Sequence, residues 1–196
     1  MSLGIIAPRL FTGNDKKGRV RYLCRILGTY YADKKYAVCR EVGLPLYHGD
    51  EVVPGFTKQR ADFIAVNKKW EVVIVETKSS FEDFTSDKKW KGYLQHCDRF
   101  YFAADEKTAQ KIVDRLDESS EKGVGVIAIS LNSRPAAILD NIAWIRPARK
   151  HVRTTPVNLL LWQMAARASG FGFGAVLHKG NVFEDAPVPT ETMRIK

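Results

Sequence analysis

Residues 60–80 read RADFIAVNKKWEVVIVETKSS, and this stretch predicts a β-hairpin. Two apolar runs flank the basic turn NKKW, a pattern typical of adjacent antiparallel strands. The hairpin also carries Asp62 and Glu76 among its valines and isoleucines. Carboxylates are rarely placed in a buried strand unless they are paired or bind a ligand. The two acids therefore point to a specific role for this end of the hairpin.

The symmetry of the hairpin predicts which side chains oppose one another. Side chains alternate between the two faces of a strand, so Glu76 and Lys78 share one face. A turn centred on Lys69 pairs Asp62 with Glu76, and directly opposed residues have Cβ atoms roughly 5 Å apart. We therefore expect three charged groups to converge, although a β-bulge would shift the pairing by one residue.

Opposed carboxylates on a mostly buried sheet repel each other and need compensation. Lys78 neutralises one charge at most. A hard divalent cation would neutralise the rest, and carboxylate oxygens are the ligands that Mg²⁺ prefers. Water held by such an ion serves metal-assisted hydrolysis. The alternative is a salt-bridged hairpin at a sheet edge without chemistry, which the aspartate on the partner strand makes weaker.

The spacing of these residues resembles that of the PD-(D/E)XK nuclease superfamily. Asp62 is followed, after thirteen residues, by Glu76-Thr77-Lys78, and Ala61 stands where the superfamily has a proline. The stretch VETKSSFEDFTSDKKWKGYLQHCDRFYFA is similar to the MmcB family of DNA repair proteins. The resemblance covers about residues 19–104.

This resemblance implies a restriction-endonuclease-like α/β fold, with a helix, a three-stranded meander, a helix and a further strand. It implies that Asp62 and Glu76 bind Mg²⁺ or Mn²⁺, with the Thr77 carbonyl as a third ligand. It also implies that Lys78 positions the attacking water, and that the substrate is DNA in repair or recombination.

The rest of the chain predicts a central mixed sheet flanked by helices. We expect helices at residues 19–33, at about 86–97, in EKTAQKIVDRLDESS and in PVNLLLWQMAARASG, and strands at about 36–42, 59–66 and 71–78, in RFYFAA, GVGVIAIS and NIAWIRPA. Ser86 or Asp87 is the expected N-cap of the second helix, and HGDEVVPGFTK is the expected loop. Residues 1–180 form one predicted domain, and 181–196 a flexible tail.

Other residues near the hairpin are candidates for supporting roles. Glu41 ends the first strand and is either a third acid facing the metal or a solvated side chain. Ser79 and Ser80 are either holders of a phosphate oxygen or plain strand-to-loop residues. Gln95 and Asp98 could brace Lys78 from behind.

Basic residues close to the hairpin are candidates for contacts with a phosphate backbone. They are Lys58, Arg60, Lys88, Lys89 and Lys91. The last three alternate with Trp90 and Tyr93, an arrangement that suits nucleic acid. Helical spacing predicts instead that the two aromatic residues belong to the core.

The composition narrows the class of partner. The chain has 196 residues and a net charge of +9 at pH 7, which favours a polyanion such as DNA over an anionic membrane. Three isolated cysteines indicate neither a zinc site nor a disulfide framework. With no long apolar run or signal peptide, we expect no membrane partner and a cytoplasmic location. The oligomeric state is not determined by these features.

Three functions fit the sequence at this point. The first is a Mg²⁺-dependent nuclease acting on DNA. The second is a non-catalytic DNA-binding module that keeps the nuclease-like fold. The third is an interaction domain whose basic surface binds an acidic partner. The complete Asp62, Glu76 and Lys78 set favours the first.

Overall fold

The computed structural model describes residues 15–48, 51–53, 59–131 and 140–169. The strands are β1 (Ala37–Gly43), β2 (Leu46–His48), β3 (Glu51–Val53), β4 (Arg60–Val66), β5 (Val72–Thr77), β6 (Arg99–Asp105), β7 (Gly125–Ile129) and β8 (Ile142–Arg146). The helices are α1 (Lys16–Asp33), α2 (Phe81–Ser86), the 3₁₀ helix Trp90–His96, α3 (Glu106–Glu118) and α4 (Val157–Ala168).

A mixed six-stranded sheet forms the centre of the fold, in the order β1-β4-β5-β6-β7-β8. Strands β1, β4 and β5 form an antiparallel meander. Strands β5, β6 and β7 run parallel, and β8 pairs antiparallel with β7 at the edge of the sheet. Helices cover both faces. The predicted α/β class with a central mixed sheet is confirmed, and the architecture agrees with a restriction-endonuclease-like core.

The β4–β5 hairpin has the predicted register. Phe63 pairs with Val75 and Ile64 pairs with Ile74, so the pairing is symmetric about Lys69. Continued by one residue, this register places Asp62 opposite Glu76. No β-bulge interrupts the described β4–β5 ladder, so the alternative of a shifted register is wrong.

Helix α1 covers one face of the sheet. It begins at Lys16, three residues earlier than predicted, because the Gly18 N–H donates to the Asp15 side chain at 2.8 Å. Its buried residues, including Leu23 and Leu27, pack on a layer from β4 to β7 that contains Phe63. The opposite helix surface is exposed and carries Arg21 and Arg25.

The other face of the sheet is covered by the remaining helices. Ile112 of α3, Leu160 of α4 and Trp90 of the 3₁₀ helix belong to one buried cluster with Phe100 and Phe102 of β6. The Trp90 and Phe100 rings stack with centroids 5.8 Å apart. The prediction that Trp90 belongs to the core is confirmed.

The predicted helix over 86–97 is wrong. Helix α2 starts at Phe81 because Ser80 caps it, accepting from the Asp83 N–H at 3.2 Å. Asp87 ends this helix instead of starting one.

The next segment winds as a 3₁₀ helix, whose three-residue repeat buries Trp90, Tyr93 and His96 along one line. Their spacing of three residues was compatible with an α-helix in the sequence. Trp90 and Tyr93 join the core cluster on the sheet, whereas the His96 ring lies 2.6 Å from the Thr155 hydroxyl.

Two further predictions concern the loop before β4 and the C-terminal tail. The predicted loop HGDEVVPGFTK contains β3, which pairs antiparallel with β2 in a two-stranded ribbon, so the loop prediction is wrong there. Lys58 and residues 170–196 lie outside the described residues, and so does the predicted tail.

Gly125 at the start of β7 allows an unusually close approach between strands. A Cβ added there would lie 2.3 Å from the Tyr101 ring and 2.8 Å from the Ala148 backbone nitrogen. The Tyr101 ring therefore lies across the glycine and is held against β7. In α1, by contrast, a Cβ at Gly28 would have Phe63 as its nearest neighbour at 4.0 Å, an ordinary contact.

We expect opposite effects from the same substitution at these glycines. Gly125→Ala forces the Tyr101 ring aside and should lower the free energy of unfolding by about 1–3 kcal/mol. Gly28→Ala adds a better helix former in open space and should raise it by about 0.5–1 kcal/mol. Urea unfolding of both variants measures this. Equal destabilisation by both substitutions would contradict the packing described here.

Candidate active site

An open cavity of about 680 Å³ lies at the end of the hairpin that is distant from its turn. We call it the acid cavity. Its lining residues are Arg60, Asp62, Glu76, Lys78, Asp83, Ser86, Asp87, Lys88, Lys89 and Tyr93. The structure thus brings the three predicted charged residues of the hairpin together in one cavity, and it adds two acids from the segment after β5.

Asp62 is oriented by the strand opposite it. One oxygen of its carboxylate accepts from the Thr77 N–H at 2.9 Å and from the Thr77 hydroxyl at 2.6 Å. In return, the Asp62 N–H donates to Oε2 of Glu76 at 3.4 Å. These contacts take the place of the backbone hydrogen bonds that would otherwise pair Asp62 with Glu76, next to the pair of Phe63 and Val75. They also bring the two carboxylates together.

Glu76 is the most strongly perturbed acid of the cavity. Its residue is only 7% exposed. Burial, and after it the neighbouring Asp62 carboxylate, raise the pKa of Glu76 to about 8 against the opposing effect of Lys78. Neutral or metal-bound forms are therefore favoured over a free buried carboxylate.

Lys78 is held in place by two carboxylates. Its ammonium lies 2.5 Å from Asp87 and 3.8 Å from Glu76, and 5.7 Å from the centroid of the Phe102 ring. Burial raises the pKa of Asp87, but the hydrogen bonds from Lys78 and the Lys89 N–H outweigh it, so the net pKa is lowered. Asp87 stays ionised and anchors the lysine.

Helix α2 follows β5 and leads the chain back to the acid cavity, where Asp83 and Asp87 join the lining. The N–H and the hydroxyl of Ser79 both donate to Asp83 at 2.9 Å, and the Ser79 carbonyl accepts from Arg19 of α1 at 2.9 Å. The hydroxyl of Ser80 caps the helix. The structure therefore engages Ser79 and Ser80 in internal hydrogen bonds around the acid cavity.

The predicted basic residues divide into two groups. Arg60, Lys88 and Lys89 line the acid cavity. Lys91 instead lies over the Trp90 ring and forms an ion pair with Glu121 at 2.5 Å. The structure therefore brings three of the candidates to the acid cavity and places Lys91 elsewhere.

Glu41 lies beside the acid cavity but not in its lining. The β1–β4 register places it opposite Asp62. Its backbone has a φ of 56°, a left-handed conformation that glutamate rarely adopts. Its carboxylate pairs with Arg60 at 3.0 Å and borders a separate depression lined by α1. The role of Glu41 as a third acid stays a prediction.

Asp83 and Asp87 line the acid cavity but were not predicted from the sequence as site residues. The pattern Ser80-x-x-Asp83 is a helix N-terminus signature and predicts a helix start at Phe81. Asp87 has no such local signal, because only the turn of α2 brings it to Lys78. The expected bracing of Lys78 by Gln95 and Asp98 is wrong. Asp98 accepts from the Val72 N–H at the other end of β5, and Nε2 of Gln95 lies 3.4 Å from the His96 ring.

The residues present fit a magnesium ion better than a zinc ion. Within the described part of the chain, no three histidine, cysteine or acidic side chains are grouped closely enough to hold a metal by themselves. Mg²⁺ usually takes one or two carboxylates and keeps several waters. The oxygen donors of Asp62 and Glu76 match this requirement, and a cation would relieve the charge repulsion that raises the pKa of Glu76.

Comparison with known proteins gives one family match and one structural match. A family model described as MmcB-like DNA repair proteins matches residues 34–127, a segment that contains the acid cavity residues from Arg60 to Tyr93. A solved structure of a protein of unknown function from Silicibacter pomeroyi has the same fold, with a TM-score of 0.57. It is 20% identical, and the match covers 84% of this chain and 97% of that chain. No curated protein matches the chain.

Helix length and composition also bear on possible partners. Among the described residues, no helix combines the length and the apolar character needed to cross a bilayer.

The raised pKa of Glu76 predicts a pH-dependent stability in the absence of metal. In the unfolded chain this group ionises near its ordinary value of 4.5, whereas in the folded protein it keeps its proton up to about pH 8. Stability therefore falls as the pH rises through that window. Since one pKa unit corresponds to about 1.4 kcal/mol, Glu76→Gln should raise the free energy of unfolding by roughly 2–4 kcal/mol near pH 9 in EDTA.

The same substitution should have almost no effect at about pH 3, below the ordinary pKa, where Glu76 is protonated in both the folded and the unfolded state. Urea unfolding in EDTA across this pH range is the measurement. Asp87→Asn is the matched control, because the pKa of Asp87 is lowered and its loss should destabilise the protein at neutral pH. A Glu76→Gln variant that is less stable than wild type at high pH would show that Glu76 is held by a structural salt bridge.

Proposed function

We propose that the acid cavity binds Mg²⁺ or Mn²⁺ and hydrolyses phosphodiester bonds in DNA. The observation that carries the proposal is the meeting of Asp62, Glu76 and a buried Lys78 in one open cavity. The match of residues 34–127 to DNA repair proteins supports DNA as the substrate.

Each residue of the cavity has a distinct part in this proposal. Asp62 and Glu76 would hold the ion, with the Thr77 carbonyl as a third ligand. The ion supplies a Lewis acid and a water of lowered pKa. Lys78, fixed by Asp87, presents an ammonium that stabilises negative charge developing on the phosphate oxygens. Asp87 is a positioning residue in this scheme.

The basic lining of the cavity would bind the backbone on either side of the scissile phosphate. Lys88 and Lys89 are exposed and follow α2. Arg60 lies at the start of β4 and forms an ion pair with Glu41. Cations of this kind position a phosphate chain without reading its sequence.

Removing one carboxylate at a time separates chemistry from binding. Asp62→Asn and Glu76→Gln keep the shape of each side chain but remove a ligand charge, so each should abolish Mg²⁺-dependent cleavage. DNA binding in EDTA should persist or tighten, because a group that repels phosphate has gone. Lys78→Met should slow cleavage by a factor of about 10² or more. Cleavage of linear and branched DNA in Mg²⁺ and in EDTA measures all three.

Asp114→Asn provides the control, because it removes an exposed carboxylate from α3, outside the lining of the acid cavity, and should leave cleavage unchanged. Retained cleavage in all three cavity variants would exclude the acid cavity as the active site. Wild-type protein that binds DNA but cleaves none of these substrates would leave the non-catalytic DNA-binding module as the function.

The lysines after α2 should dominate the salt dependence of duplex binding. Each phosphate contact contributes about −0.9 to the slope of log affinity against log salt. Reversing Lys88 and Lys89 to glutamate should weaken binding and make this slope shallower by about 2. The same charge reversal at Lys107 and Lys111, which are exposed on α3, should leave the affinity and the slope nearly unchanged. Fluorescence anisotropy over a salt series tests this, and a slope insensitive to Lys88 and Lys89 would contradict it.

A further inference from the structure

We propose that the turn end of the hairpin is a second nucleic-acid site, which binds a single strand with its bases unstacked. We call this region the hairpin-tip surface. It consists of an aromatic cavity, the exposed Trp70, and a rim of basic side chains formed by Lys34, Lys68, Lys69, Arg149 and Lys150. The proposal goes beyond hydrolysis at the acid cavity and does not depend on it.

The aromatic cavity lies on the α1 face of the sheet and has a volume of about 380 Å³. Its walls include Tyr30 and Tyr36 from α1 and the start of β1, Tyr101 from β6 and Trp144 from β8. The Tyr30 and Trp144 rings touch, with centroids 4.4 Å apart. Such a volume is within the range of small-ligand sites, and flat aromatic walls suit a nucleobase.

The polar groups inside the cavity are fixed by one another. Nε of Arg99 binds Glu71 at 2.8 Å, and the Tyr36 hydroxyl lies 3.2 Å from the other oxygen of Glu71. Asn67 of the hairpin turn donates to the same oxygen at 3.1 Å. A preorganised guanidinium and carboxylate thus border the aromatic wall, and these are groups that can hydrogen-bond the edge of a base.

The rim around the cavity is basic. Lys68 and Lys69 form the hairpin turn, and Arg149 and Lys150 follow β8; all four are exposed. Within the described residues, no ion pair joins any of the four to an acidic side chain. An uncompensated cluster of this kind is complementary to a phosphate backbone.

Contacts between the two basic segments show that they form one surface. Arg153 donates to the Trp70 carbonyl at 3.3 Å and to Asp98 at 3.2 Å. Arg99, which lines the aromatic cavity, donates to the Ala148 carbonyl at 2.9 Å. The segment after β8 is therefore held beside both the hairpin turn and the cavity.

Trp70 occupies a position where stability alone would not place a tryptophan. Its φ is 62°, a left-handed conformation that favours glycine or asparagine over a bulky residue. It is also 56% exposed. A large aromatic face is thus presented to solvent at a strained position, next to two lysines. A base stacked on this face would cover it, and base–aromatic stacking is a main source of single-strand affinity.

The aromatic surfaces select a single strand over a duplex. In a duplex the faces of the bases are stacked on one another and cannot reach Trp70 or the cavity walls, whereas a single strand can splay its bases out. Trp70 precedes Glu76 by six residues of extended chain, so the two sites are separated by about 20 Å. The hairpin-tip surface is therefore distinct from the acid cavity.

The test compares binding of a fluorescein-labelled oligothymidylate by anisotropy in EDTA. Trp70→Asn removes the aromatic face and suits the positive φ, so it should fold at least as stably as wild type. We expect it to lower affinity about tenfold. Trp144→Leu and the pair Lys68→Glu with Lys69→Glu should each give a loss of similar size. The lysine pair should also make the salt slope shallower.

Matched controls are Trp162→Leu on α4 and the pair Lys107→Glu with Lys111→Glu on α3, which should leave affinity unchanged. Equal affinity in wild type and all hairpin-tip variants overturns the proposal. The proposal is also overturned if the hairpin-tip variants lose binding to phosphatidylserine vesicles but keep their binding to the oligothymidylate.

Failure of this proposal can be told apart from failure of the nuclease proposal. Asp62→Asn should bind the oligothymidylate no more weakly than wild type, whether or not the wild-type protein cleaves DNA. Conversely, Trp70→Asn should cleave a short duplex at the wild-type rate if the acid cavity is catalytic.

Discussion

A buried carboxylate at the end of a central strand is the constraint around which the acid cavity is built. Glu76 follows four buried residues of β5, where an isolated charge has no water to solvate it. The fold does not surround it with cations. It places a second carboxylate, Asp62, directly across the hairpin and opens the pair to a cavity. This arrangement is unfavourable unless a proton or a cation compensates the charge, so the burial of the pair favours the proposed binding of a metal ion.

The geometry of this acidic pair depends on a turn about 20 Å away along the strand. Asn67 fixes the turn, since its side-chain oxygen accepts from the Lys69 N–H at 2.8 Å and the Glu71 N–H at 3.1 Å. A register slip of one residue would move Asp62 to the opposite face of the sheet. The hairpin symmetry that positions Asp62 is thus set locally, by a few hydrogen bonds of a polar side chain.

This local control explains which features could be predicted from the sequence. The register of the hairpin follows from the spacing of its residues about Lys69, so the meeting of Asp62 and Glu76 was predictable. Asp87 was not, because its approach to Lys78 depends on a short helix and a turn whose ends are set by side-chain hydrogen bonds. Glu41 is a further case, since its spacing allowed either a third acid or a solvated side chain and gave no signal for the ion pair with Arg60 that the structure shows. The hairpin-tip surface joins residues from α1, the hairpin and the segment after β8, and no sequence window contains them together.

The two ends of the hairpin are connected by the exposed side of α1. The depression beside Glu41 is lined by Lys16, Lys17, Arg21 and Arg40, and Glu41 itself bonds Arg60 of the acid cavity. Helix α1 continues from there, with Arg25 exposed, to Tyr30 and Lys34 at the aromatic cavity. At 1.5 Å per residue its eighteen residues span about 27 Å, somewhat more than the separation of the two hairpin ends. A polyanion held at the acid cavity and at the hairpin-tip surface would therefore follow a line of cations on one helix. Exposed cations of α1 thus lie between the two surfaces that are proposed to bind DNA.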